Sequence, residues 1–136
     1  MSNPISSYLG LQADALPLRE QRMKLIASNL ANADTPGYQA RDLDFNAALA
    51  DAAQRRQHGA PASTGDTRDN HIPLPAVPGG DAFAVARVAT QASLDGNTVD
   101  PDAERAAYGR AALEYRASLN FLESKVRSLM TAITGQ

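Results

Sequence analysis

Eight residues toward the C-terminal end of the chain, Tyr108, Ala112, Tyr115, Leu119, Leu122, Val126, Leu129 and Ile133, are spaced alternately four and three apart. That spacing averages 3.5 residues, so the set lies along one side of an α-helix with the period of a coiled-coil seam. Asp100 is a good N-cap and Pro101 a good first helical residue, which sets the start of the helix. From there to Ile133 it would run about 50 Å. A helix of that length is not held by intrinsic propensity; its stability has to come from burying the seam against something.

The other end of the chain supplies the nearest partner. Leu9, Ala13, Leu16, Glu20, Met23, Ala27 and Leu30 repeat the four-three spacing, with Glu20 the only polar member. Each Leu-sized side chain buried is worth about 1.5 to 3 kcal/mol, so a handful of contacts can pair the termini as a helical hairpin. Both helices also carry a second apolar line. Leu11, Ala15, Leu18 and Leu25 lie two positions off the first stripe, about 200° around the helix at 3.6 residues per turn. Leu113, Ala117 and Phe121 do the same on the C-terminal helix. A helix apolar on opposite faces is buried on both or meets a partner on the second, and in a chain of 136 residues that partner is expected to be another subunit. Pro17 removes a backbone hydrogen bond to Ala13, predicting either a kink or a helix that starts near Asp14 with Pro17 in its first turn.

Between the helices the pattern weakens. The chain divides into an N-terminal helix (1–31), a middle segment (32–99) and a C-terminal helix (100–136), with the two ends expected to form one discontinuous domain. Residues from Asp44 to about Gln57 predict a short helix, with Asp42 or Asp44 as N-cap and Gly59 as the stop. From His58 to Gly80 the composition turns to Pro, Gly, Ser, Thr and Asp, and its four prolines predict loop or disorder. Phe83, Val85 and Val88 suggest a short strand or flap. The fold class is therefore mainly α, with an irregular, partly disordered middle and short β elements.

Composition narrows the function classes. Hydrophobic content is 43%, much of it alanine, with four Tyr, three Phe and no Trp, which argues against a large compact core. A net charge of −2, with basic residues scattered among acids, gives no footprint for nucleic acid. No cysteine means no disulfide and no thiolate metal site. No run of eighteen apolar residues predicts a membrane span, and no charged-then-apolar start predicts a cleavable signal peptide.

Nor does any constellation predict catalysis. His58 and His71 fall in the low-order middle and belong to no spaced ligand set, which fits exposed loop histidines. Asp95, Asn97, Asp100, Asp102 and Glu104 crowd the start of the last helix, yet the calcium-loop spacing fails, because Val99 takes a ligand position and Asp100 the place of the glycine. A turn through Asp95-Gly96-Asn97 before a capped helix, with acids near its positive end, is the better account. No nucleophile elbow, phosphate loop or acid-base pair can be assembled, so no enzyme activity, metal or cofactor is expected.

The most specific local feature is Ala27 to Tyr38, ASNLANADTPGY. The helical pattern carried by Leu25, Ile26 and Leu30 ends near Ala31. Asn32, Asp34 and Thr35 offer short polar side chains for freed backbone groups, Asn29 and Asn32 are expected to fix the exit and its packing, and Pro36-Gly37 suits the centre of a type II turn before Tyr38. The run resembles the signature of axial proteins of the bacterial flagellum, the rod, hook and hook-associated subunits. Gln39 to Phe45 (QARDLDF), Ser93 to Asp100 (SLDGNTVD) with Glu104-Arg105, and Thr67 to Ile72 (TRDNHI) are similar to the proximal rod members of that family rather than the hook. The resemblance covers about residues 8–49 and 93–133, with Pro17 and Pro101 as departures from the family pattern.

The resemblance implies a structural subunit of the basal-body rod that packs its terminal helices into a helical tube, an assembly of head-to-tail contacts that do not close, and transmits torque. On this reading the assembly seam comprises Leu9, Leu16, Met23, Leu30, Tyr108, Tyr115, Leu119, Leu122, Val126, Leu129 and Ile133. The implied partners are FlgC-like rod subunits, a FliE-like adaptor at the membrane ring, further copies in the rod, and the flagellar type III export apparatus, which would carry the chain uncleaved to the periplasmic rod. Phe45 and Leu49, at i and i+4 on one helix face, have the Phe-x-x-x-aliphatic form that similar early-exported subunits present to the export gate; a pair of packing residues has the same form. A soluble helical adaptor or export chaperone of the flagellar system is the alternative that uses the same seams.

Overall fold

The structure, a computed structural model, describes residues 4–58, 81–89 and 93–135. The loop expected over residues 58–80, including TRDNHI, His71 and the Gly59 stop, lies outside the described residues, apart from the backbone of His58. Three helices dominate: α1 (Pro4–Ala31), α2 (Phe45–His58) and α3 (Pro101–Thr134). Two three-residue strands, β1 (Arg41–Leu43) and β2 (Ala84–Ala86), pair antiparallel with Asp42 opposite Val85, and a 3-10 turn at Asp81–Phe83 leads into β2. The fold is mainly helical, with long terminal helices, as the stripes predict.

The two long helices pair as an antiparallel hairpin. Its register is set by two contacts ten residues apart on each helix, Arg19 to Glu114 and Asn29 to Glu104. Extended along α1, that register brings Gly10 to the level of Glu123. There α1 breaks, with Gly10 at φ 48° and ψ −137°, a conformation open to glycine. The break therefore falls seven residues before Pro17, correcting the kink or late start expected there. Pro17 sits inside continuous helix on its exposed side, where the Ala13 carbonyl that loses its donor can face water.

Helix caps follow local chemistry. The Asp100 side chain accepts from the backbone N–H groups of Asp102 and Ala103, and Pro101 occupies the first helical position. For α2 the N-cap is Asp44, whose Oδ1 accepts from Ala47 N at 3.0 Å. Asp42, the other candidate, is engaged in β1.

Packing departs from the stripes in two ways. On α3 the innermost residues are Glu104, Ala111 and Ser118, seven apart. Tyr115, Leu122 and Leu129 are half-buried beside them, whereas Tyr108, Leu119, Val126 and Ile133 are exposed. The inner face is thus rotated by about 50° from the predicted seam, a turn that carries Leu119, Val126 and Ile133 outward and leaves Ala112 half-buried. Small Ala111 and Ser118 let α1 approach closely, and Glu104 is drawn inward by the charged groups described below.

The second departure is on α1. Its supposed outer line is the better buried one. Leu18 and Leu25 form the core with Leu43 and Ala48, and Phe45, Leu49, Phe83 and Ala84 pack around it. Ala15 and Ile26 are buried too, whereas Leu9, Leu16, Met23 and Leu30 are half-buried and Leu11 stays exposed. The chain's own middle, α2 with the strand pair, covers the face that the sequence assigns to another subunit. Leu113, Ala117 and Phe121 on α3 receive no such cover and remain exposed.

Candidate functional site: the signature junction

Where α1 ends, the chain has to satisfy freed carbonyls, reverse direction and enter β1. Asn29, on the last turns of α1, is 0% exposed. Its Nδ2 donates to the Arg41 carbonyl at 2.7 Å and its Oδ1 accepts from Arg41 N at 3.0 Å. One amide side chain thereby pairs with both backbone groups of a strand residue, as a neighbouring strand would. The same Oδ1 accepts from the Tyr38 hydroxyl at 3.3 Å, and Nδ2 lies 3.4 Å from Glu104 Oε2. Tyr38 Oη is also 3.3 Å from Ser28 Oγ, so the aromatic side chain is tied back to the helix that precedes it.

The turn forms as the residues predict. Tyr38 N donates to the Thr35 carbonyl at 3.2 Å across Pro36 and Gly37, and Gly37 has φ 72°, the positive value required at the second central position of a type II turn. Asn32 Nδ2 donates to the Ser28 carbonyl at 2.8 Å, and Thr35 Oγ1 bonds Asn32 Oδ1 at 3.2 Å. Thr35 and Pro36 are exposed, so the turn is held from one side.

That side is the segment before α3. Asn97 Nδ2 lies 3.0, 2.8 and 2.9 Å from the carbonyl oxygens of Asn32, Ala33 and Thr35, which gathers the acceptors left open at the α1 terminus. Gly37 N donates to the Asp95 carbonyl at 2.9 Å, Thr98 N to the Tyr38 carbonyl at 3.0 Å, and Ala40 N to Thr98 Oγ1 at 2.7 Å. The loop turns twice in succession, on Leu94-Asp95 with Gly96 N donating to the Ser93 carbonyl, and through Asp95-Gly96-Asn97 with Gly96 at φ 75°. Asp95 Oδ1 accepts from Asn97 N and from Ser93 Oγ, bonds that hold its carboxyl below the ordinary carboxylate range. Two motifs separated by nearly sixty residues are therefore one structure.

A chain of charges closes the junction underneath. Arg22 donates Nε and Nη2 to the two oxygens of Asp42 at 3.0 and 3.1 Å, a bidentate pair. Arg87 bridges Asp42 at 2.9 Å to Glu104 at 2.5 Å. Burial pushes the Asp42 carboxyl up, but hydrogen bonds from Arg22, Arg87 and Leu43 N outweigh it and hold Asp42 below its ordinary value; its bond to Asp42 raises Arg22. Glu104 is 1% exposed, a carboxylate that burial would penalise without Arg87 and Asn29 beside it. The network joins α1, β1, the residue following β2, and α3.

Of the residues singled out from the sequence, Asn29, Asn32, Thr35, Gly37 and Tyr38 meet here. Phe45 and Leu49 do not; both are half-buried against the core, and Phe45 lies under Arg19 at 5.6 Å. Arg22, Asp42, Arg87, Asn97 and Glu104 are members that sequence reasoning missed. For Asn97 the SLDGNTVD segment was the available signal, and for Glu104 its place just after that segment, on a seven-residue line with Ala111 and Ser118. Arg22 and Arg87 carry no local signal.

The polar side chains of the junction bond to backbone, to one another or to an opposite charge, which is the chemistry of a scaffold. Among the described residues no cluster of His, Cys, Asp or Glu has the arrangement of a metal site, and no helix is long and apolar enough to cross a membrane. Residues 11–39, α1 from the Gly10 break through the signature turn, match the family of flagella basal body rod proteins. The likeness to individual members is broader. The flagellar basal body rod protein FlgB of Salmonella typhimurium is 40% identical over 136 residues, covering 99% of this chain and 99% of that protein. FlgB of Escherichia coli is 40% identical over 98% of this chain and 97% of its own length, and that of Yersinia enterocolitica 39% over 98% of each. The chain belongs to the FlgB family of flagellar basal-body rod proteins. It is accordingly a structural protein of the flagellum rather than an enzyme, associated with other basal-body components.

Proposed function

We propose that the chain is a subunit of the proximal rod, packed with related subunits into a helical tube that transmits torque. In this reading α1 and α3 are the tube-forming part and residues 32–99 the subunit's own body, anchored to the helices by the signature junction. The observation that carries it is the uncovered apolar surface of α3. Leu119, Phe121, Val126, Met130 and Ile133 are exposed on a helix that outlasts the unbroken part of α1, with Ile133 79% exposed. A structural subunit that leaves such a surface open has neighbours for it. The half-buried Leu9, Leu16, Met23, Leu30, Tyr115, Leu122 and Leu129, with exposed Tyr108, are shared between the hairpin and those neighbours.

FlgC-like subunits and a FliE-like adaptor are the proposed neighbours, with other copies of this chain. Delivery to the periplasmic rod is assigned to the flagellar type III export apparatus without cleavage, with Phe45 and Leu49 as the proposed gate segment. The test is an in-frame deletion: rod assembly should stop while earlier membrane rings still form. Intact rods in the deletion strain would overturn the proposal.

A further inference from the structure

An open groove of about 250 Å³ lies between α1 and α3, lined by Arg22, Arg87, Arg110 and Glu114 over a floor of Ala103, Ala107 and Ala111. Three guanidinium groups face it with one carboxylate. That carboxylate is taken, since Glu114 pairs with Arg19 at 3.4 Å. Arg22 and Arg87 are fixed by Asp42 and Glu104, yet those bonds use only some of their donors. Arg110 is exposed and forms no hydrogen bond or ion pair among the described residues. The floor consists of methyl groups, so a partner's main chain can come close.

The groove does not stand alone. From Arg110 the line Glu114, Ala117, Phe121 continues along α3 at four-three-four spacing, bordered by Leu113, which is 70% exposed. The result is a surface with a cationic head and an apolar tail, about 16 Å from Arg110 to Phe121 at 1.5 Å per residue. A small anion would use only the head. A helix with a carboxylate at one end and apolar side chains two to three turns along would use both.

We propose that this groove and the adjoining Leu113-Ala117-Phe121 stripe form one docking surface, filled by an acidic amphipathic helix of a neighbouring rod subunit with its carboxylate against Arg110. The proposal rests on the rod reading but is separable from it. The experiment expresses the full chain with Arg110→Glu in the deletion strain and counts basal bodies that carry rods. Arg116→Glu is the control, the same charge change about 120° away on the same helix. Like charge at a docked site should reduce rod-bearing basal bodies about tenfold or more, with secreted protein unchanged, and Arg116→Glu should assemble like the parent. Should Arg110→Glu lower the secreted amount, Arg110→Gln takes its place, with a smaller loss of the same sign. Normal assembly of the Arg110 variants, or equal damage from Arg116→Glu, would overturn the docking proposal and leave the rod reading standing. Rods in the deletion strain would remove the rod reading itself.

Discussion

Asn29 ties three parts of the fold together, the end of α1, β1 and the start of α3. Its amide, on a residue at zero exposure, substitutes for a strand neighbour to Arg41 while facing Tyr38 and Glu104. Asn29→Ala leaves the Arg41 N–H and carbonyl without those partners and removes one polar neighbour of a buried carboxylate. Loss of buried hydrogen bonds of this kind costs about 1 to 3 kcal/mol per unsatisfied group, so urea unfolding should show a loss of at least that size. Asn29→Asp keeps the acceptor and loses the donor, placing a second carboxylate beside Glu104, and should be at least as damaging. An unfolding midpoint that does not move in either variant would contradict this account. Asp42 makes the junction sensitive to acid. Its carboxyl titrates below the ordinary 3.8, so the stability it lends is complete above that value and is lost as the pH falls through the lower, folded-state value. Thermal midpoints measured from pH 7 to pH 2 should therefore show the advantage of the parent over Asp42→Asn shrinking below about pH 4.

At the level of elements, the short helix α2 has a part that its sequence leaves open. Phe45 and Leu49 pack on Leu18, Leu25, Leu43 and Ala48, so the face proposed for the export gate is also a face of the core. Replacing both with alanine should lower stability by about 2 to 5 kcal/mol, scaled down for their partial exposure. Secretion separates the two roles. If the gate reads these residues, export should fall even when a comparably destabilising change at Leu25 leaves export intact; unchanged secretion of the double variant would end the gate proposal. The same element explains where sequence reading succeeds and where it stops. The bounds of α3, the Asp100 cap and the Pro36-Gly37 turn were legible, and the α2 cap was narrowed to Asp42 or Asp44, because each depends on residues within a few positions. The second stripe of α1 was misassigned because nothing local reveals that Leu43, Ala48 and Phe83 return to cover it. The rotation of α3 was hidden for a similar reason, since it depends on Arg87 reaching Glu104 across seventeen residues. Asn97 was visible as part of a motif, but its attachment to the α1 terminus needed the fold.

Across the whole molecule, order is unevenly supported. The hairpin is tied near its base by Asn29 with Glu104 and further along by Arg19 with Glu114, and the core and charge network gather around those same turns. Beyond the level of Gly10, where α1 is broken, most of the residues of α3 are exposed. Its last turns rely on local contacts such as Arg127 with Glu123, an exposed pair four residues apart that contributes only about 0.3 to 0.5 kcal/mol. A helix end held so weakly opens locally at low free-energy cost, whereas opening α1 at Arg22 breaks the Asp42 pair and the core beside it. Brief trypsin treatment of the isolated chain should therefore cut α3 after Arg127 well before it cuts α1 after Arg22. In basal bodies, where the rod reading gives the far end of α3 neighbours, the Arg127 site should become resistant. Equal cleavage at the two sites in the free chain would show that the hairpin is uniformly held and that its far end has no need of neighbours; persistent cleavage at Arg127 within intact rods would place that end outside the packed tube.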